Sequence, residues 1–267
     1  MGGSGAGLIV SLLVLVIDIY IILLFVRLFL SEYERYDAVL EMVFQATDPV
    51  IVPLATSLRS QVVQLIPLLV IAVLLLLKGM LVGSIPGALQ GFLSTLLRIY
   101  VLTIIITAAF REAYLNPIVS FGQRLVRPVR TMARYLSPHP TSIDVLSVGI
   151  LVLLHTVGLL VLYTLMGRGG DDVVLAKGAF IYSLRLIVDL TWFFVLVLFL
   201  YVILAWFSPD PRNPLVQLLM TIAVPILEPI RRVIPPLGGI IDISPIIAMF
   251  ALQIVNSVLH GLLHYLA

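Results

Sequence analysis

Cysteine is absent from the 267 residues, which excludes disulfides, thiolate nucleophiles, Cys-ligated zinc and iron–sulfur clusters, and leaves the redox compartment unreadable. Charge is nearly as scarce. Asp, Glu, Lys and Arg make up 11% of the chain, against about 25% in a soluble domain. The net charge of +2 offers no electrostatic case for nucleic-acid binding, so only the placement of the basic residues carries information. A His-Glu-x-x-His run, a phosphate-binding glycine loop and a nucleophile elbow are all missing, so no enzyme and no cofactor is implied. What is present is apolar: 61% of side chains, with a mean hydropathy of +1.17. One core cannot hide that much surface, so lipid must be the solvent for most of the chain, and disorder is excluded by the same figures.

Six runs are long and apolar enough to cross about 30 Å of hydrocarbon as helices. They are Leu8 to Leu30, Val62 to Val82, Gly87 to Phe110, Ile143 to Gly167, Gly178 to Phe207 and Gly239 to Leu266. Continuous Leu, Ile and Val without alternation argue for helices over a barrel, because a helix satisfies its own backbone in lipid. The first run lacks a basic leader and has a long apolar core, and is therefore read as a retained anchor rather than a signal peptide. The expected fold is an all-α membrane protein.

Six spans place both termini on one side of the membrane and segments 31–61, 111–142 and 207–238 on the other. Those segments hold Arg35, Arg59, Arg111, Arg124, Arg127, Arg130, Arg134, Arg212, Arg231 and Arg232; the opposite side has Lys78, Arg168 and Lys177. The positive-inside rule therefore makes the three long segments cytoplasmic and the termini external.

The chain also repeats itself, and repeats define an architecture. Asn213-Pro214 precedes Pro225 by twelve positions, counted from the Asn, and leads on to Pro229, Asp242 and Ser244-Pro245. Asn116-Pro117 stands the same distance before Pro128, ahead of Asp144 and Ser147; Asp37 stands the same distance before Pro49, ahead of Pro53 and Pro67. Each copy reads as helix, interfacial segment, helix, giving three hairpins at 8–83, 87–167 and 178–267. Asn or Asp caps the interfacial helix, Pro opens its first turn, and a later Pro is expected to end or bend it. Leu215, Leu218, Leu219 and Ile222 recur at helical spacing, as in a helix lying in the interface. Prolines 225, 229, 235 and 236 are expected to exclude a long straight helix there.

The run Ala205-Trp206-Phe207-Ser208-Pro209-Asp210, then Asn213-Pro214-Leu215-Val216, Pro225-Ile226-Leu227-Glu228-Pro229-Ile230-Arg231-Arg232, Pro235-Pro236-Leu237-Gly238-Gly239 and Asp242-Ile243-Ser244-Pro245-Ile246 closely resembles the YggT family of small bacterial integral membrane proteins, which has chloroplast relatives. The match is specific over about residues 196–260. The second copy has Ser137-Pro138-His139-Pro140 in place of the Pro-Pro-Leu-Gly-Gly turn, and the first lacks the Arg pair after Pro53 while keeping Arg27 ahead of Ser31. The resemblance implies a bacterial inner-membrane protein tied to osmotic-stress tolerance, potassium uptake or assembly of membrane complexes. It supplies no catalytic residues.

Asp18, Arg98, Arg185 and Asp189 fall within spans, where an ionisable group costs about 2.5–3.5 kcal/mol and is a functional candidate. Arg185 and Asp189 are four apart and are expected to pair on one helix face, and Asp18 is expected to pair with Arg98 between helices. Either these are ion pairs that fix helix register, or they line an ion path with Gln253 and Asn256. His260 and His264, also four apart, share a face that suits a metal or haem, or solvation at a chain end; His155 stands alone in the fourth span. Gly83, Gly87 and Gly91 are read as helix-packing residues. Arg124, Arg127, Arg130 and Arg134 form one stripe beside Leu125, Val126 and Val129, suited to anionic headgroups at about 1 kcal/mol per residue, with Arg231 and Arg232 on the same side.

Two functions follow. One is a non-enzymatic scaffold or assembly factor whose basic interfacial helices bind anionic lipid and a membrane-protein partner, with oligomerisation left open. The other is a potassium channel or transporter component.

Overall fold

The computed structural model describes residues 3–37, 40–57, 65–109, 117–137, 139, 142–167, 171–207, 214–235 and 242–267. These residues form ten α-helices and one short 3-10 turn, and no strand occurs among them. The helices are α1 (Gly3–Arg27), α2 (Leu40–Ser57), α3 (Ile66–Val82), α4 (Ile85–Ala109), α5 (Pro117–Leu136), α6 (Ile143–Leu165), α7 (Asp172–Val188), α8 (Thr191–Phe207), α9 (Pro214–Val233) and α10 (Ser244–Leu266).

Five segments are long and apolar enough to span a membrane: Gly7–Arg27, Ile85–Ala109, Ile143–Leu165, Asp172–Leu204 and Ser244–Leu266. Helix α3, expected as a further span from Val62, has 17 residues and reaches about 25 Å, short of the roughly 30 Å layer. Its start, residues 62–64, lies outside the described residues. The run expected as one span from Gly178 to Phe207 is two helices, α7 and α8, joined by a turn at Asp189 and Leu190.

The three amphipathic helices, α2, α5 and α9, each bury an apolar stripe. Val119, Phe121, Leu125, Val126, Val129 and Ala133 line the buried face of α5, and Val216, Ile222, Ala223 and Leu227 that of α9. Asp37 opens α2 as expected, its Oδ1 accepting the Leu40 N–H at 3.0 Å. Asn116, Asn213, Gly238 and Gly239 lie outside the described residues.

Of the two effects expected of the interior prolines, ending or bending these helices, the ending is corrected. Helix α9 continues through Pro225 and Pro229 to Val233, α5 through Pro128 and α2 through Pro49 and Pro53. All five prolines sit on the exposed side of their helices. Each removes one backbone donor, and an outward position is where the freed carbonyl is easiest to solvate while the buried stripe holds the helix.

The chain divides into two compact units, Met1–Leu96 with Ala113–Arg127, and Leu97–Glu112 with Pro128–Ala267. In the first, α1 packs along α2 and α3. In the second, α10 packs along α7, α8 and α9, and α6 along α7. The core where α8, α9 and α10 meet contains Val197, Leu198, Ile222, Ala223, Leu227 and Ala248.

Glycine roles differ from the expected packing set. Gly83 takes φ 75° and ends α3, a conformation that costs other residues, so it is a turn residue. The close approach is at Gly79, where an added Cβ would stand 2.6 Å from Ile85 Cα.

Candidate functional site

The basic stripe of α5 does not face one way. Arg124, Arg127 and Arg134 are exposed, but Arg130 turns inward. Its Nε donates to Asp144 Oδ1 on α6 at 2.8 Å and its Nη2 to Thr107 Oγ1 on α4 at 2.8 Å, with both charged side chains 15% exposed. Arg124 pairs with Glu34 of the 3-10 turn. Among the described residues Arg134 makes no ion pair. Beside it Met132, Tyr135 and Leu136 are exposed, a mixture of basic and amphipathic groups suited to a headgroup boundary.

Helix α9 repeats the division. Arg231 turns inward, its Nη2 donating to Asp242 Oδ2 at 2.5 Å and to the Tyr201 hydroxyl at 3.1 Å. The Asp242 Oδ1 accepts the Ser244 N–H at 2.9 Å and so also secures the start of α10, where Pro245 is buried in the first turn. Partial burial pushes the Asp242 carboxyl up, but hydrogen bonds with Ser244 and Arg231 outweigh it and hold the group below the usual carboxylate range. Arg231 is likewise held above its ordinary value: burial opposes the charge, and the hydrogen bonds to Tyr201 and Asp242 more than offset that. Arg232 points outward and pairs, among the described residues, with Glu228, four residues earlier.

Helix α2 carries the same kind of clamp with signs exchanged. Asp48 on α2 lies 3.7 Å from Arg27 at the end of α1 and 3.0 Å from Arg35, and both guanidiniums sit over the Phe44 ring. Each amphipathic helix thus has a charged side chain next to or near an interior proline that ties it to a neighbouring element. Lys78, Asp144, Tyr201, Thr107 and Asp48 were not recognised from sequence as partners. The available signal was the recurrence of an Asp just ahead of, or within the first turn of, the helix that follows each basic amphipathic segment.

Within the spans, the expected pairings are replaced by others. Asp18 pairs with Lys78 on α3 at 2.5 Å rather than with Arg98. Lys78, inside the expected Val62–Val82 run but counted toward the charge of the outer side, pairs within the bundle, because its four-carbon stem can lie along apolar surface while the ammonium finds the carboxylate. Asp189 does not pair with Arg185. Its Oδ1 lies 2.9 Å from His260 Nε2 on α10 and its Oδ2 4.0 Å from Arg98 Nη2 on α4. Arg185 is four residues away on α7, but Asp189 sits in the turn beyond the helix, where its side chain leaves the α7 face.

That turn is held by side chains both near and far in sequence. The Trp192 N–H donates to Asp189 O at 3.1 Å instead of continuing the helical ladder, which frees the Val188 carbonyl. Thr191 Oγ1 donates to that carbonyl at 2.8 Å and Asn256 Nδ2 donates to it at 3.1 Å, so side chains take over the missing backbone bond. His264 is exposed and does not join His260, and no group of three potential metal ligands occurs among the described residues.

His155 is buried rather than isolated. Its Nδ1 lies 2.7 Å from Ser183 Oγ, which is also 3.1 Å from Thr156 Oγ1, and the ring stacks on Tyr182. This polar knot joins α6 to α7.

Residues 180–263, from α7 to α10, match the CCB3/YggT family. An uncharacterised protein of Pseudomonas aeruginosa is 32% identical over 149 residues, covering 55% of this chain and 73% of its own length. One from Haemophilus influenzae is 31% identical over 153 residues, covering 57% and 79%. The uncharacterised YggT protein of Escherichia coli K12 is 27% identical over 165 residues, covering 61% and 84%. These matches lie in the C-terminal part of the chain. No solved structure matches it. The two clamped amphipathic helices, the polar turn and the spans around them lie in or beside this shared region, and the chain belongs to the CCB3/YggT family.

Proposed function

We propose that this multi-pass membrane protein is a non-enzymatic scaffold, an assembly or osmotic-stress factor of the bacterial inner membrane, that presents α5 and α9 to an anionic cytoplasmic leaflet. The observation that carries this reading is the division of labour on α5: Arg130 is committed to Asp144, while Arg134 faces outward beside Met132, Tyr135 and Leu136. Basic groups next to apolar and aromatic ones on an amphipathic helix suit lipid phosphate at about 1 kcal/mol per residue. The six-span, three-hairpin arrangement belongs to the same proposal, with α2, α5 and α9 as the interfacial middles.

The test is native mass spectrometry of detergent-purified protein with phosphatidylglycerol. Arg134→Gln should lower bound anionic lipid by about fivefold, since one residue at about 1 kcal/mol sets that scale. Unchanged binding would remove the lipid-facing role.

A transport reading rests on one observation, the Arg98, Asp189 and His260 group at a broken span, a feature that transporters use at ion sites. The scaffold is preferred because Asp18 and Asp189 each already have a basic partner. Potassium flux in proteoliposomes that is abolished by Asp189→Asn would reverse that preference.

A further inference from the structure

Helix α10 is the least enclosed of the five candidate spans, and its polar residues differ in whether they are partnered. Asn256 and His260 turn toward the α7–α8 turn and are bonded there. Gln253 and Ser257, on the adjoining exposed flank of the helix and one helical turn apart, have no hydrogen-bond partner among the described residues. Gln253 lies about 14 Å along α10 from Ser244, near the middle of a roughly 30 Å hydrocarbon layer. Hydroxyls elsewhere in the spans do not share this state: Ser94, Thr95, Thr103, Ser147 and Ser183 all donate to the carbonyl four residues back.

An amide facing acyl chains without a partner is costly, because lipid offers nothing to bond it. We infer that the Gln253–Ser257 face of α10 is an interface with a second copy of this chain in the membrane. The occupant follows from the chemistry of the group. A primary amide is donor and acceptor at once, so two copies of Gln253 facing each other across a two-fold axis satisfy both functions with one residue type. Ser257 and Gly261, one and two turns further along, are small enough to let the two backbones approach, and Phe250 adds apolar area on the same stripe. Lipid alone would satisfy the apolar groups of this face but not the amide.

The absence of cysteine makes the experiment direct, because any disulfide must come from an introduced residue. Single substitutions Phe250→Cys and Ser257→Cys on the stripe, and Val258→Cys and Leu262→Cys away from it, are oxidised in native membranes and resolved as monomer and dimer. Dimers are expected at Phe250 and Ser257 and not at Val258 or Leu262. Adding Gln253→Leu to Ser257→Cys should lower the dimer yield about fivefold, the scale of one interhelical hydrogen bond in a membrane. Three results would overturn the inference: equal cross-linking around the helix, no dimer at Ser257, or a yield indifferent to Gln253→Leu. A cross-link from Ser257→Cys to a different protein alone would also overturn it. A melting temperature within a degree or so of the parent for each variant separates interface loss from misfolding.

Discussion

At the scale of single residues, the glycines of the α3–α4 corner show how backbone conformation and space set different demands. Gly83 has open space around it but a φ of 75°, so alanine there would be strained without any clash. Gly79 has ordinary helical backbone but Ile85 against it, so alanine would collide with main chain that must then shift. Gly91 faces only the Lys78 ammonium at 3.6 Å, an ordinary contact. Gly79→Ala should therefore cost about 1–3 kcal/mol, Gly83→Ala about 1–2 kcal/mol, and Gly91→Ala should lie within about 0.5 kcal/mol of the parent or gain slightly. Thermal unfolding in detergent followed by circular dichroism gives this order, and a loss at Gly91 equal to that at Gly79 would contradict it.

At the scale of elements, each amphipathic helix is held by a charge that looks, in sequence, like its neighbours. Arg130 and Arg134 are one turn apart on α5, and Arg231 and Arg232 are adjacent on α9, yet only Arg130 and Arg231 are drawn inward. A hydrogen bond to a charged group is worth about 1.5–3 kcal/mol, and an exposed pair at helical spacing about 0.3–0.5 kcal/mol. Arg130→Gln and Arg231→Gln should each cost about 2 kcal/mol, while Arg134→Gln and Arg232→Gln should change stability by under about 0.5 kcal/mol. Equal losses across the four, measured by the same unfolding curves, would mean that the clamps do not hold the helices.

The same helices mark what was legible. Spans such as Ile143–Leu165 could be read because lipid imposes one requirement, about twenty apolar residues, that sequence displays directly. Helix α9 was mistaken for a broken segment because Pro225 and Pro229 weigh heavily in local propensity, while the buried stripe of Ile222, Ala223 and Leu227 that overrides them acts through tertiary contacts. The turn at Asp189 carries no proline or glycine. Its cause is Asn256, 68 residues from the carbonyl it bonds, and no local window contains both. Lys78 was misplaced for a related reason: its charge was counted toward topology, while its stem let it pair with Asp18.

At the scale of the whole molecule, the turn at Asp189 raises a question of parity that the proposed topology answers. Asp172–Leu204 contains 33 residues and about 50 Å of helical rise, more than one upright crossing needs and less than two crossings with a loop between them would use comfortably. Asn256 and His260 on α10 reach this turn about 18–24 Å from the start of their own helix. Helix α8 therefore runs beside α10 for most of the layer and turns near its far side. On this argument α7 and α8 make one crossing between them, and α6, the α7–α8 pair and α10 make three. Tyr135, in the last turn of α5, and Tyr265, at the end of α10, should then lie on opposite sides of the membrane, with Tyr135 cytoplasmic by the positive-inside rule. Both are about nine-tenths exposed, so a probe can reach them. In the cysteine-free background, Tyr135→Cys should react with an impermeant maleimide only after the cells are opened, and Tyr265→Cys should react in intact cells whose outer membrane has been permeabilised. If both react from the same side, the crossing number between them is even, α7 and α8 each cross or neither does, and the three-hairpin arrangement fails together with the cytoplasmic placement of α5 and α9 as a pair.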